Sequence, residues 1–170
     1  MSEYKHITHG FGPFIQNDSE ILILGSFPSV RSREQSFFYG HPQNRFWPVL
    51  AHIFDEQTPE TNDVAGKKEF LKRHHIALYD SIEECDIIGS SDAKIRNAVP
   101  ADIPSLLAGS RIHTVFCNGS TSYQYLMKFH RLPIKVIKLP STSPANAAWT
   151  FNKLCDAWKI IRQNPTISSL

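Results

Sequence analysis

The sequence predicts a three-layer α/β/α domain built on a central four-stranded parallel sheet. Three observations lead there. Apolar runs of strand length recur at 20–24, 76–79, 112–117 and 134–139. Segments with the three- and four-residue spacing of amphipathic helices lie between and after them. No two runs are joined by a short hairpin signal, so successive strands need crossover connections, and those make a parallel sheet.

Residues 1–19 read as a polar, irregular N-terminal arm, with Phe11 and Phe14 tucked under the sheet. The first strand, 20–24, runs into Gly25-Ser26-Phe27-Pro28-Ser29. Small residues there let a flat ligand approach the backbone. A charged loop with Arg31, Arg33 and Glu34 follows. Phe46, Val49, Leu50 and Ile53 mark a helix over 43–54, starting near Asn44 or Arg45, with Pro48 in its first turn where a missing N–H costs least. A linker spans 55–64 and a short helix 65–75, and the second strand ends at Asp80-Ser81.

The stretch 80–100 has few apolar residues at regular spacing, and Gly89-Ser90-Ser91-Asp92 reads as a loop. A short helix spans 104–108. The third strand ends in Asn118-Gly119-Ser120 and feeds a helix to His130 with Tyr125, Leu126 and Phe129 on one face. The fourth ends in Pro140-Ser141-Thr142. A final helix over 146–162 carries the stripe Ala147, Phe151, Leu154, Trp158 and Ile161. All of this fits one domain, 1–170, since 170 residues hold one full core and not two comfortable ones. Ligands of such sheets bind beyond the strands' carboxyl ends, and here all four ends are small and polar.

The net charge of +2 permits nucleic-acid contact without demanding it, so phosphates must be met by local clusters or backbone N–H groups. Cys85, Cys117 and Cys155 form no CxxC pair, which argues against a disulfide framework, a zinc site or an iron–sulfur cluster. His74 and His75 are helix neighbours that point apart, so no metal is expected. Neither a signal-peptide stretch nor a run of membrane-spanning length is present, and the expectation is a soluble, cytoplasmic protein.

GxGxxG, GxxxxGK[ST] and GxSxG are all missing, which weakens dinucleotide, P-loop and α/β-hydrolase readings. Ser26 or Ser29 with His41 makes a poor nucleophile–base pair, as no carboxylate is placed to orient the imidazole. Asn44 is by residue type a helix cap. Phe38, Tyr39, Gly40 and Phe46 around it also suit a planar, hydrogen-bonding group such as a nucleobase.

Gly25-Ser26-Phe27-Pro28-Ser29, then Tyr39-Gly40-His41-Pro42-Gln43-Asn44-Arg45-Phe46-Trp47, then Leu139-Pro140-Ser141-Thr142-Ser143-Pro144-Ala145-Asn146 resemble, in that order, the motifs of the uracil-DNA glycosylase superfamily. The middle segment is shared with the mismatch-specific uracil and thymine glycosylases. With Leu78-Tyr79-Asp80-Ser81-Ile82, Cys85 and Gly89-Ser90-Ser91-Asp92, the pattern most resembles the hypoxanthine (deoxyinosine) DNA glycosylase branch, over about residues 10–160. The first motif lacks the Asp of the GQDPY pattern, and Leu139 stands where the familiar uracil enzymes carry a His.

The resemblance implies a uracil-DNA glycosylase-like fold and a monofunctional, cofactor-free, monomeric enzyme. It would flip a deaminated base out of DNA and hydrolyse its N-glycosidic bond, releasing hypoxanthine as the first step of base excision repair. Uracil or G:U/G:T mismatch specificity, a damaged-DNA binding module without catalysis, and a nucleoside hydrolase are the alternatives. Asn44 is the catalytic candidate, placing a water through its amide oxygen. Gly25, Ser26, Phe27, Tyr39 and Asp80 are expected to bind the base: the N–H groups of Ser26 and Phe27 on the departing anion, the rings stacking, and Asp80 accepting from N1–H. Pro140, Ser141, Thr142, Ser143 and Asn146 are expected to meet the DNA, with Ser120 at a second phosphate site.

Overall fold

The four apolar runs do pair as one parallel sheet, and a second sheet grows beside it. In the computed structural model, residues 3–163 are described. The ends of the expected 1–170 domain, 1–2 and 164–170, lie outside the described residues. In chain order the elements are β1 (Lys5–Thr8), β2 (Ile21–Gly25), α1 (Val30–Gln35), α2 (Phe46–Ile53), α3 (Val64–Arg73), β3 (Ile76–Asp80), β4 (Ile82–Ile87) and β5 (Arg96–Pro100). Then come α4 (Ile103–Leu107), β6 (Thr114–Asn118), α5 (Ser120–Phe129), β7 (Lys135–Leu139), α6 (Phe151–Trp158) and α7 (Ile160–Gln163).

The parallel sheet has the order β3-β2-β6-β7, with Ile21 level with Ile76 and Thr114. Every residue of β2 and β3 is buried, which is why both read as continuous apolar runs rather than alternating ones. The main core joins Leu22, Leu24 and Phe116 of this sheet to Phe46, Phe70 and Trp158 of the helices. Phe14 pairs by backbone with Leu78 through two 2.9 Å hydrogen bonds, so the Phe14 segment runs along the β3 edge.

Four expectations are corrected. The N-terminal arm is not irregular throughout: β1 joins β4 and β5 in an antiparallel sheet of order β1-β4-β5. Not every connection is a crossover: β4 and β5 pair antiparallel through residues 88–95, and β3 and β4, parted by Ser81 alone, lie in different sheets. Glu83, Glu84 and Asp86 interrupt the apolar signal of β4, and two register shifts spoil its alternation with β5. Only Ile82, Cys85 and Ile87 turn inward, forming a small cluster with Phe27. The charged loop after Ser29 folds as α1, capped by the Ser29 side chain, which accepts from Ser32 N–H. The last helix starts five residues later than expected. Residues 143–149 are turns, and Thr150 caps α6 by accepting from Lys153 N–H.

Candidate active site

The carboxyl ends of β2, β3 and β6 and the segment after β7 open into a cavity of about 600 Å³. Its walls come from the loop after β2, the turn holding Asn44, the tip between β4 and β5, and the loop after β7.

β2 ends in Gly25, which lies level with Asp80 at the end of β3. A Cβ on Gly25 would stand 2.4 Å from Asp80 Oδ1, so only glycine lets the carboxylate lie over the strand end. Asp80 is buried, and its Oδ2 lies 2.7 Å from His9 Nε2. His9 is itself buried between the rings of Phe11 and Tyr79. No signal in a polar arm marks this histidine as a partner of the site.

Beyond Gly25, the Ser26 hydroxyl donates to Asp92 Oδ1 at 2.8 Å. No described backbone carbonyl accepts from the N–H of Ser26 or Phe27. The Phe27 ring is buried, with the Arg33 guanidinium 6.0 Å from its centroid. Burial, opposed by the Ser26 hydrogen bond, raises the Asp92 pKa above the ordinary carboxylate value, and the charge of Asp80 adds to the rise.

Asn44 is not the helix cap, a position held by Arg45, yet its Oδ1 accepts from Phe46 N–H at 3.0 Å. The same oxygen accepts from Thr142 Oγ1 at 2.8 Å. Thr142 Oγ1 in turn accepts from Asn118 Nδ2 at 2.9 Å, while Asn118 Oδ1 accepts from Thr142 N–H at 3.0 Å. Both lone pairs of the Asn44 amide oxygen are thereby engaged, and its Nδ2 is the uncommitted end. Asn118, at the carboxyl end of β6, is the anchor of this relay.

Tyr39 adopts a left-handed backbone, φ 53°, and stacks on Phe46 with centroids 3.8 Å apart. Its hydroxyl is buried beside Asn118 but short of hydrogen-bonding geometry. Burial, reinforced by Asp80, pushes the phenol pKa far up, so it stays protonated.

The loop after β7 is held from below. Arg45 donates to the carbonyls of Ser143, Asn146 and Trp149, and Trp158 Nε1 donates to Pro140 O at 2.9 Å. Among the expected DNA contacts, Ser141 and Ser143 line the cavity. Thr142 also lines it but is wholly buried with its hydroxyl and N–H both engaged, so it braces Asn44 rather than meeting a phosphate. Pro140 and Asn146 lie outside the lining, and Asn146 Nδ2 donates to Ser141 O. Ser120 is also outside it, with Thr121 in its place. No cluster of three or more His, Cys, Asp or Glu suited to a metal occurs among the described residues.

A family model for the uracil DNA glycosylase superfamily matches residues 13–162. The chain belongs to the uracil DNA glycosylase superfamily. A hypoxanthine DNA glycosylase from Methanosarcina acetivorans is 31% identical over 150 residues, covering 86% of this chain and 93% of the relative. One from Methanosarcina barkeri is 33% identical over 138 residues, covering 81% and 87%. The solution NMR structure of a Methanosarcina acetivorans protein, described as a candidate uracil DNA glycosylase, superposes with a TM-score of 0.76 at 29% identity, covering 91% of this chain and 96% of that one. The protein is therefore a DNA glycosylase, an enzyme that hydrolyses N-glycosidic bonds in DNA. No helix among the described residues is long and apolar enough to cross a membrane.

Proposed function

We propose that this glycosylase excises hypoxanthine from deaminated DNA and works as a monomer without a cofactor. The observation that carries the reading is the convergence, in one cavity, of the Ser26–Phe27 loop and an Asn44 fixed by Thr142. The two relatives named hypoxanthine DNA glycosylase support the choice of base.

The chemistry follows from the leaving group. Flipping the nucleotide costs about a few kcal/mol of unstacking and delivers the base to the cavity. As the glycosidic bond breaks, the sugar becomes oxocarbenium-like and the base gathers negative charge. The N–H groups of Ser26 and Phe27, at the cavity and claimed by no described backbone carbonyl, are the donors this reading assigns to that charge. Asn44 adds a third donor. Its Oδ1 can take a water only by giving up Thr142 or Phe46, so the expected water-holding role gives way to donation from Nδ2. The scheme calls on neither Asp80, paired with His9, nor Asp92, held by Ser26, as a strong base on water, because hypoxanthine leaves as a stabilised anion and the cation left behind is captured readily.

The test is mass spectrometry of the free base released from duplexes containing deoxyinosine, deoxyuridine or a G:T mismatch. Hypoxanthine is the expected product. Release of uracil or thymine alone overturns the reading, and specific binding without an abasic product would mark a sensor rather than an enzyme.

A further inference from the structure

The tip between β4 and β5 is a loop by sequence, yet it is fastened at three points to the first loop and α1. Val30 N–H donates to Ser90 Oγ at 3.0 Å, Arg33 Nη2 to Gly89 O at 3.3 Å, and Ser26 Oγ to Asp92 Oδ1 at 2.8 Å. This fastening holds a second carboxylate at the cavity beside that of Asp80. The two differ in what they can offer. Asp80 is sealed in, with Oδ2 on His9 and Oδ1 over the Gly25 backbone. Asp92 reaches the cavity from an exposed segment, with Oδ1 held by Ser26 and Oδ2 taking no hydrogen bond among the described residues.

We propose that Asp92 is the residue that recognises the base, accepting the lactam N–H on its Oδ2 while the adjacent Ser26–Phe27 N–H groups receive the neighbouring carbonyl. This rests on the proposed glycosylase reading and assigns to Asp92 the acceptor role that sequence alone suggested for Asp80. Ser26 links the two halves of the recognition, since its hydroxyl positions the acceptor and its own N–H is a donor. A donor–acceptor pair of this kind matches the N1–H/O6 edge of hypoxanthine. Adenine presents the reverse, a lone pair at N1 and an amino group at C6, and meets like against like at both atoms. Rejection is therefore stronger than a missing contact alone would give.

The test measures binding of wild type and Asp92→Ala to duplexes that cannot be cleaved. One carries 2′-fluoroarabino-inosine, one the nebularine analogue that lacks both N1–H and O6, and one a tetrahydrofuran abasic site. Wild type should prefer the inosine duplex over the nebularine duplex by about tenfold or more, the worth of a hydrogen bond to a charged group. Asp92→Ala should cut that preference by about tenfold, leaving only the share that O6 owes to the Ser26–Phe27 N–H groups, while its affinity for the abasic duplex stays within about twofold. Retention of the full preference, an equal loss on the inosine and abasic duplexes, or no preference in wild type overturns the assignment. Failure of wild type to release hypoxanthine from ordinary deoxyinosine DNA would instead strike the glycosylase reading itself, and that is a separate measurement.

Discussion

Thr142 Oγ1 donates to Asn44 Oδ1 across 2.8 Å, joining the turn before α2 to the loop after β7, 98 residues apart in sequence. That bond decides which end of the Asn44 amide faces the cavity. With Phe46 N–H on the same oxygen, Nδ2 is left uncommitted, and the proposed donor role rests on that.

Asn44→Asp separates the two roles. A carboxylate keeps the contacts to Thr142 and Phe46 but replaces the free N–H pair with an acceptor. If Asn44 donates, single-turnover cleavage falls at least as far as in Asn44→Ala, about a hundredfold or more. If it orients water, the aspartate is a better base and cleavage is retained or rises. Rapid-quench kinetics on a deoxyinosine duplex reads the difference.

Thr142→Val removes the relay and leaves Asn118 Nδ2 without its acceptor. The expected cost is about 1–3 kcal/mol of stability, read from the urea midpoint. Cleavage falls with it, whereas Thr142→Ser restores both. A valine variant with full activity would show that Asn44 needs no brace.

Gly25→Ala sets a methyl 2.4 Å from Asp80 Oδ1, while His9 holds the carboxylate from its other side. Overpacking of that kind costs about 1–3 kcal/mol. His9→Leu strands a buried carboxylate and costs about 3 kcal/mol or more. In the double variant Asp80 is free to move aside, so the two costs do not add. Denaturant titration of the four proteins completes the cycle, and strict additivity would deny the coupling.

Lys67 supplies a pH test away from the cavity. Its Nζ donates to Thr61 O at 2.7 Å and to Gln35 Oε1 at 3.1 Å, 5.3 Å from the Trp47 ring centroid. Burial, opposed by the charge of Asp63, pulls its pKa from 10.5 down to about 8. Between those values the unfolded chain binds the extra proton, so this group makes stability rise with pH across the window. Comparing urea midpoints of wild type and Lys67→Met at the two ends of the window isolates the effect. The wild type should gain on the variant as pH rises, and parallel curves would remove Lys67 as the cause.

Most of the parallel sheet was legible because β2, β3 and β6 are buried on both faces and read as unbroken apolar runs, whereas edge strand β7 shows only Val136, Ile137 and Leu139 beside two lysines. The first and last motif loops were legible because they follow β2 and β7, and the middle one, between α1 and α2, by the residue types around Asn44. β1, β4 and β5 were not, since each exposes one face and β4 mixes Glu83, Glu84 and Asp86 with its inward residues. α1 carries no apolar stripe, and only its Ser29 cap marks it. Within the cavity, residue types pointed to Asn44 and Asp80. The partners that define them, Thr142 and His9, arrive from distant parts of the chain through contacts that local spacing does not encode.

Arg45 commits its guanidinium to three carbonyls of the segment it lies beneath, and Trp158 clasps a fourth. That segment is thus stiff before any helix of DNA arrives. On the proposed reading, a loop held this way leaves the bending to the nucleic acid. A mispaired position yields at lower cost than a sound one, so such an enzyme feels softness in the double helix before it inspects the base itself.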